Sequence, residues 1–153
     1  MIESKINIRK AKNGDETTIF ELINELALFE KAPEQVINTV DQLRIDLFKD
    51  NVCDAIVLEK DGVIIGFALY YTSYSTWKGK ALYLEDFYIK PEFRKFGYGS
   101  IVFDEVVKIA KERKVKRMDW VVLDWNENAI QFYKKKGATL DPEWITGRLF
   151  FEY

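Results

Sequence analysis

The apolar patterns of this chain predict an α/β (α+β) fold: a mixed, mostly antiparallel central sheet with helices on both faces. Three observations carry that prediction. Strand-like alternation and helix-like spacing succeed one another in the order βαα-βββ-α-β-α-β. The three central strand-like runs form a meander, two of them meeting at Asp61-Gly62, a dipeptide suited to a tight hairpin. The later strands are separated by helices, so the chain must cross over the sheet to reach them.

Residues 6–9, Ile-Asn-Ile-Arg, alternate as a first strand. Asn13-Gly14-Asp15 opens a helix whose apolar positions Ile19, Phe20, Leu22, Ile23, Leu26 and Ala27 follow the 3.6-residue spacing. Thr39-Val40-Asp41-Gln42 reads as a capping box for a second helix reaching about Phe48. Strands are predicted over residues 53–59, 63–74 and 81–89, the last ending before Pro91. A glycine-bearing loop then leads into a helix over residues 99–113, with Val102, Phe103, Val106, Ile109 and Ala110 on one face. A strand over residues 118–123, a short helix over 128–136 closed by Gly137, and a last strand over 149–151 complete the order. No repeat, low-complexity stretch or Pro/Gly/Ser-rich linker interrupts it, so a single domain over residues 1–153 is expected.

Composition narrows the chemistry. With 48% hydrophobic and 15% aromatic residues the chain has material for a core without disulfide or metal. Its 23 Lys and Arg against 25 Asp and Glu leave a net charge of −2, not the basic surface of a nucleic-acid binder. It has no histidine, which excludes Ser-His-Asp and Cys-His catalysis and His-ligated metal centres. Cys53 is the only cysteine, so it has no internal disulfide or zinc partner. Any proton transfer must rest on carboxylates, tyrosine, lysine or water. No run of 18 apolar residues suggests a membrane span, and the N-terminal residues turn at once to alternation rather than to a signal-peptide core. A soluble cytoplasmic protein is expected.

Three segments carry candidate chemistry. Arg94-Lys95-Phe96-Gly97-Tyr98-Gly99-Ser100 stands between a strand and a helix, where glycines expose consecutive N–H groups and the helix N-terminus favours phosphate. It is neither a dinucleotide fingerprint, whose third glycine would fall at Val102, nor a Walker loop, and on its own it is equally an ordinary turning loop. In Tyr83-Leu84-Glu85-Asp86-Phe87-Tyr88-Ile89, alternation sends Glu85 to the face of Tyr83, Phe87 and Ile89. A carboxylate among aromatics gains proton affinity and can serve as a base or a cation anchor; the plain alternative is a strand end with solvated acids. In the third segment a strand runs through Asp124-Trp125-Asn126 into a short helix capped by Asn126 or Asn128. There Tyr133 reads by itself as packing and Lys134 to Lys136 as a solvated helix end.

Taken together the three segments resemble the GNAT superfamily of N-acetyltransferases. The superfamily loop pattern Arg/Gln-x-x-Gly-x-Gly/Ala is met by Arg94, Gly97 and Gly99. Leu26-Ala27-Leu28-Phe29-Glu30, Tyr74-Ser75-Thr76-Trp77-Lys78-Gly79, Tyr83-Leu84-Glu85-Asp86, Asp124-Trp125-Asn126 and Phe132-Tyr133-Lys134 are similar to the spermidine/spermine and thialysine (diamine) acetyltransferase branch, from the first strand to Phe150.

The resemblance implies a GNAT fold with a central sheet of six to seven strands, acetyl-CoA as co-substrate, no metal, a small amine as acceptor and a homodimer. It implies that Arg94, Lys95, Phe96, Gly97, Tyr98, Gly99 and Ser100 cradle the cofactor diphosphate. It further assigns pantetheine pairing to the backbone of Phe87, Tyr88 and Ile89, and more cofactor contacts to Asn126, Glu127, Asn128 and Ala129. Tyr133 matches the acid that protonates the departing thiolate, and Glu85 the base that acts through water. Phe29, Glu30, Ser75, Trp77, Glu85 and Asp86 match substrate contacts. Lys95 stands where many relatives have glycine, so it must adopt a backbone compatible with that position. Ser75 stands where the polyamine-specific enzymes carry Asp, which points to thialysine-like or short diamine substrates. Acetylation of protein lysines and a non-catalytic acyl-CoA-binding regulatory module are the competing readings.

Overall fold

The computed structural model describes residues 4–153. Asp61 and Gly62 both take left-handed backbone, φ 52° and 80°, the two-residue turn whose twist matches the strands it joins. β1 (Ile6–Lys10) is followed, after two helical segments, by β2 (Asp54–Lys60), which this turn folds back onto β3 (Val63–Ser75). β3 turns again into β4 (Gly79–Ile89), and β5 (Arg117–Asp119) runs parallel to β4. The strand order is β1-β2-β3-β4-β5, with every other neighbouring pair antiparallel.

The sheet has five strands among the described residues, not the six to seven expected. Of residues 118–123 only the first two join the ladder, within β5. Residues 149–151 form no strand: Leu149 and Phe150 are 83% and 78% exposed. Alternation is only half of a strand, and without a partner to take its N–H and C=O groups the segment stays irregular.

α1 (Glu16–Phe29) follows Asp15, whose carboxylate does not cap the helix. It accepts instead from Arg9 (2.7 and 3.1 Å) and from the Lys12 N–H (2.8 Å). Thr39 caps α2 (Val40–Arg44) by accepting from the Gln42 N–H at 3.1 Å. Only half of the expected capping box forms, because the Gln42 amide donates forward to Asp46 at 3.0 Å. The helix then widens into a π-turn, Ile45–Lys49. α3 (Tyr98–Glu112) and α4 (Glu127–Lys135) lie close to their expected positions.

Two apolar layers cover the sheet. Ile19 and Leu22 of α1, Leu43 of α2 and Leu47 of the π-turn pack on Val57, Phe67, Leu69 and Tyr88. On the opposite face Phe103 of α3 meets Phe87, ring centroids 6.0 Å apart, and Trp120 edge-on at 5.5 Å. The neighbours Phe87 and Tyr88 thus serve opposite layers, as the strand pleat requires. Packing divides the chain between Val121 and Val122: the first unit holds the sheet and α1 to α3, the second holds α4.

Candidate active site

The loop after β4 is built for an anion. A single helical turn, Pro91–Phe93, delivers the chain to Arg94. Lys95 then takes the left-handed backbone at φ 70°, as a residue in a glycine position must, and Gly97, at φ 81°, begins α3. A Cβ at Gly97 would meet no neighbour within 4 Å, so its backbone angle and not crowding calls for glycine. No side chain caps α3 and no acid stands in its first turn. Its first N–H groups have no intrahelical acceptor, and the helix dipole favours negative charge there.

Arg94 itself does not point into this loop. Its Nε donates to the Ile89 carbonyl at 2.9 Å, and its guanidinium stacks between Tyr88 and Phe29, 5.2 and 5.4 Å from the ring centroids. It therefore ties the loop to the end of β4 and to the end of α1, where Glu30 follows. Glu25, one turn earlier on α1, pairs with Lys90 at 3.1 Å and accepts from the Tyr88 hydroxyl at 3.3 Å. The sequence reading missed both ties; the i, i+4 spacing of Glu25 and Phe29 was the available signal.

Beside the loop lies the end of β4 beyond its pairing with β5. β5 pairs with β4 only over Ala81, Leu82 and Tyr83, so nothing in β5 covers β4 beyond Tyr83. The Lys90 N–H donates inward to the Ile65 carbonyl, and strand alternation then turns the main-chain groups of Tyr88 toward β3 and those of Phe87 and Ile89 outward. The Ile89 carbonyl is held by Arg94.

Glu85 sits in a β-bulge. The ladder pairs Leu84 with Tyr70 and Asp86 with Leu69, leaving Glu85 as the inserted residue. The insertion corrects the sequence reading, which placed Glu85 on one face with Tyr83, Phe87 and Ile89. Phe87 packs on α3, whereas Asp86 and Tyr88 pair with Leu69 and Phe67 on the α1 side. A bulge adds one residue and so breaks the period of two.

The bulge gathers carboxylates. Glu85 is exposed, Asp86 and Glu30 are partly buried, and none of these side chains has an ion pair or hydrogen bond among the described residues. Burial, then the Glu85 charge, then the Glu30 charge push the Asp86 carboxyl up to about 7. Burial and then Glu85 raise Glu30 as well. Tyr71, stacked on Tyr83 at 5.3 Å, is raised by burial and by Glu85. Such a cluster of acids, with Asp86 raised to about 7, can attract a cation and take its proton.

Two expected substrate residues lie elsewhere in the chain. Ser75 is buried at the end of β3, and its Oγ accepts from the Trp77 and Lys78 N–H groups at 3.3 and 3.1 Å, closing the hairpin. Trp77 is 80% exposed on that turn. Ser75 pairs with Gly79, and at roughly 3.3 Å per residue the bulge is about 20 Å further along β4.

In the second unit Asn126 caps α4, its Oδ1 accepting from the Ala129 N–H at 3.3 Å. Glu127 and Asn128 are exposed in the first turn, where Glu127 accepts from Gln131 at 2.7 Å. Tyr133 is the buried residue of α4 and meets Phe132 edge-on at 5.5 Å. Gly137, at φ 86°, ends the helix.

The uncapped start of α3, which favours an anion, and the carboxylates gathered at the bulge of β4 are the chemical features of the first unit. The chain belongs to the acetyltransferase (GNAT) family, whose model matches residues 18–138. It is 41% identical over 142 residues to a thialysine N-epsilon-acetyltransferase of Bos taurus, covering 87% of this chain and 84% of that protein. It is 35% identical over 153 residues to the Mus musculus enzyme of the same name, covering 92% and 90%. An aminoglycoside acetyltransferase from an uncultured soil metagenomic sample shares the fold, with a TM-score of 0.79 at 14% identity over 96% of this chain and 97% of that one. The chain is thus an acetyltransferase related to the thialysine/spermidine branch, with acetyl-CoA as co-substrate. Among the described residues no cluster of three or more His, Cys, Asp or Glu could hold a metal, and no helix is long and apolar enough to cross a membrane.

Proposed function

We propose that this chain, acting as one domain over residues 1–153, transfers acetyl directly from acetyl-CoA to the amine of a thialysine-like amino acid or a short di- or polyamine. The observation that carries the reading is the trio Glu30, Glu85 and Asp86, acids gathered around the bulge of β4 with no ion pair or hydrogen bond among the described residues. Such a receptor attracts a small cation, and the relatives named for thialysine favour the same class. The first N–H groups of α3, with Lys95 beside them, would hold the diphosphate, and the backbone of Phe87, Tyr88 and Ile89 the pantetheine arm. Asn126, Glu127, Asn128 and Ala129 are proposed as further cofactor contacts.

An alkylammonium with pKa near 10.4 cannot attack a thioester until it loses a proton. The acids at the bulge take that proton, Glu85 reaching it through water. The resting site of the proton is taken up below. Tyr133 donates its phenolic proton to the departing thiolate. Direct transfer uses proximity and needs no enzyme nucleophile. We further propose a cytoplasmic homodimer; the exposed Tyr74 and Trp77 of the hairpin and Trp144, Ile145, Leu149 and Phe150 near the C-terminus are apolar surface that a second copy can cover.

Thiol release from acetyl-CoA, followed across a panel of amines and lysine peptides, tests the reading. Turnover with thialysine or diamines is the expected result. Turnover confined to peptides would make the chain a protein-lysine acetyltransferase, and thermal stabilisation by acetyl-CoA without turnover would make it a binding module. Tyr133→Phe is expected to retain acetyl-CoA binding and lose roughly 10²–10⁴ in kcat. An unchanged kcat would remove Tyr133 from the reaction.

A further inference from the structure

The bulge separates two acids that adjoin in sequence. Glu85 is the inserted residue and lies exposed, whereas Asp86 returns to the ladder opposite Leu69 and is partly buried on the side of the sheet that α1 covers. Asp86 has no cation beside it: no hydrogen bond or ion pair reaches its carboxyl among the described residues. The charged and titratable groups that act on it are Glu85 on its own strand and Glu30 at the end of α1, both acids. Across β3, Tyr71 is a neutral phenol that Glu85 drives further from ionisation.

We infer that the proton taken from the substrate ammonium rests on Asp86, with Glu85 and Glu30 as the fixed charges that make Asp86 the better acceptor. This rests on the acetyltransferase reading and relocates one role within it. Glu85 is exposed and can relay a proton through water. A partly buried acid flanked by two like charges holds it near neutral pH.

The proton count closes. Asp86 accepts one proton from R–NH3+, giving R–NH2 and a neutral carboxylic acid. The amine nitrogen bonds to the thioester carbonyl carbon and the C–S bond breaks. Tyr133 gives its proton to the sulfur, and the second nitrogen proton restores the phenol. Asp86 releases its proton to water, so the sum is R–NH3+ plus acetyl thioester to acetamide, thiol and H+.

The test is the pH profile of kcat/KM with one diamine, for the native protein, Asp86→Asn and Glu85→Gln. The native profile is expected to rise with an apparent pKa near 7 and then level, as for a base of that affinity. Asp86→Asn removes this limb: activity at pH 7 falls by roughly 10²–10⁴. It then climbs about tenfold per pH unit with the free amine, up to about pH 10. Glu85→Gln keeps the limb but moves it to lower pH, because a like charge has gone. A limb that vanishes in Glu85→Gln and persists in Asp86→Asn would overturn the inference and leave the acetyltransferase intact. A second readout needs no turnover: the 13C resonance of the Asp86 carboxyl is expected to titrate near 7 in the free protein, and lower in Glu85→Gln. Titration near the ordinary value of about 4 would overturn the inference whether or not any amine is acetylated.

Discussion

Lys95 separates what backbone and charge each contribute to the cofactor loop. At φ 70° it occupies a region that costs a side-chain-bearing residue about 1–2 kcal/mol. Glycine at this position removes that strain but gains freedom in the unfolded chain, a loss of roughly 0.5–1 kcal/mol. Lys95→Gly should therefore be more stable by about 0.5–1 kcal/mol. At about 2–4 °C per kcal/mol for a domain of this size, its Tm should rise by about 1–4 °C. The exposed ammonium acts separately: Lys95→Gln retains the strain and loses the charge. It should leave Tm near native and weaken acetyl-CoA roughly two- to fivefold at low salt, the scale of an exposed ion contact. The loss should shrink with added salt as screening sets in. Lys95→Gly combines both effects, a higher Tm with a weaker cofactor. Differential scanning fluorimetry and titration calorimetry at two ionic strengths read them independently. A lower Tm for Lys95→Gly would refute the strain argument, and native affinity for Lys95→Gln at low salt would refute the role of the charge.

Two other predictions concern the scaffold. The Tyr70 hydroxyl is buried without a hydrogen-bond partner among the described residues, beneath the Arg113 guanidinium, 5.3 Å from its ring centroid. Tyr70→Phe should thus stabilise by about 1 kcal/mol in denaturant titration, and a loss of that size would reveal a partner. Arg9, bonded to Asp15 and Glu59, holds the Asp15 carboxyl below its ordinary 3.8. Because the folded value is depressed, this stability is present above pH 3.8 and is lost as pH falls through the folded value. Asp15→Asn should be less stable at pH 7 by roughly 1–3 kcal/mol, with the gap closing in acid; a gap independent of pH would sever the link to ionisation.

What sequence could and could not reveal follows from how local each signal is. The Asp61-Gly62 hairpin, the Thr39 cap and the helix start at Gly97 rest on one to four adjacent residues whose backbone needs are their own. They form where expected. Lys95 belongs with them, since a loop that turns through glycine-like angles imposes the angle on whatever residue stands there. Pairing is not local. Residues 149–151 alternate as a strand does, yet a strand also needs a neighbour, and no alternation names one. The side chain of Arg94 was equally hidden. Its motif says only that an arginine precedes the glycines, while its partners Tyr88, Ile89 and Phe29 come from the strand before the loop and from a helix more than sixty positions earlier.

The bulge at Glu85 is the instructive failure, because its signal was present and read with the wrong period. Strict alternation sets one of two adjacent acids on each face of β4, and both faces of this strand are covered: Phe87 lies under α3 and Tyr88 under α1. One acid would then be buried among apolar side chains with no partner, at a cost of several kcal/mol for an ionised group. An extra residue spares Glu85 this, while Asp86 stays partly buried with no cation beside it. Glu85 leaves the ladder for solvent, Asp86 re-enters it opposite Leu69, and the apolar positions beyond are rephased onto the layers that need them. Leu84-Glu85-Asp86-Phe87 is therefore readable as a bulge from charge alone, once two adjacent acids in a doubly covered strand are recognised as incompatible with a regular pleat. The same rephasing gives the two acids different surroundings, one wet and one partly dry. On the proton-storage proposal above, that difference is what lets adjacent carboxylates divide the attraction of an amine from the storage of its proton.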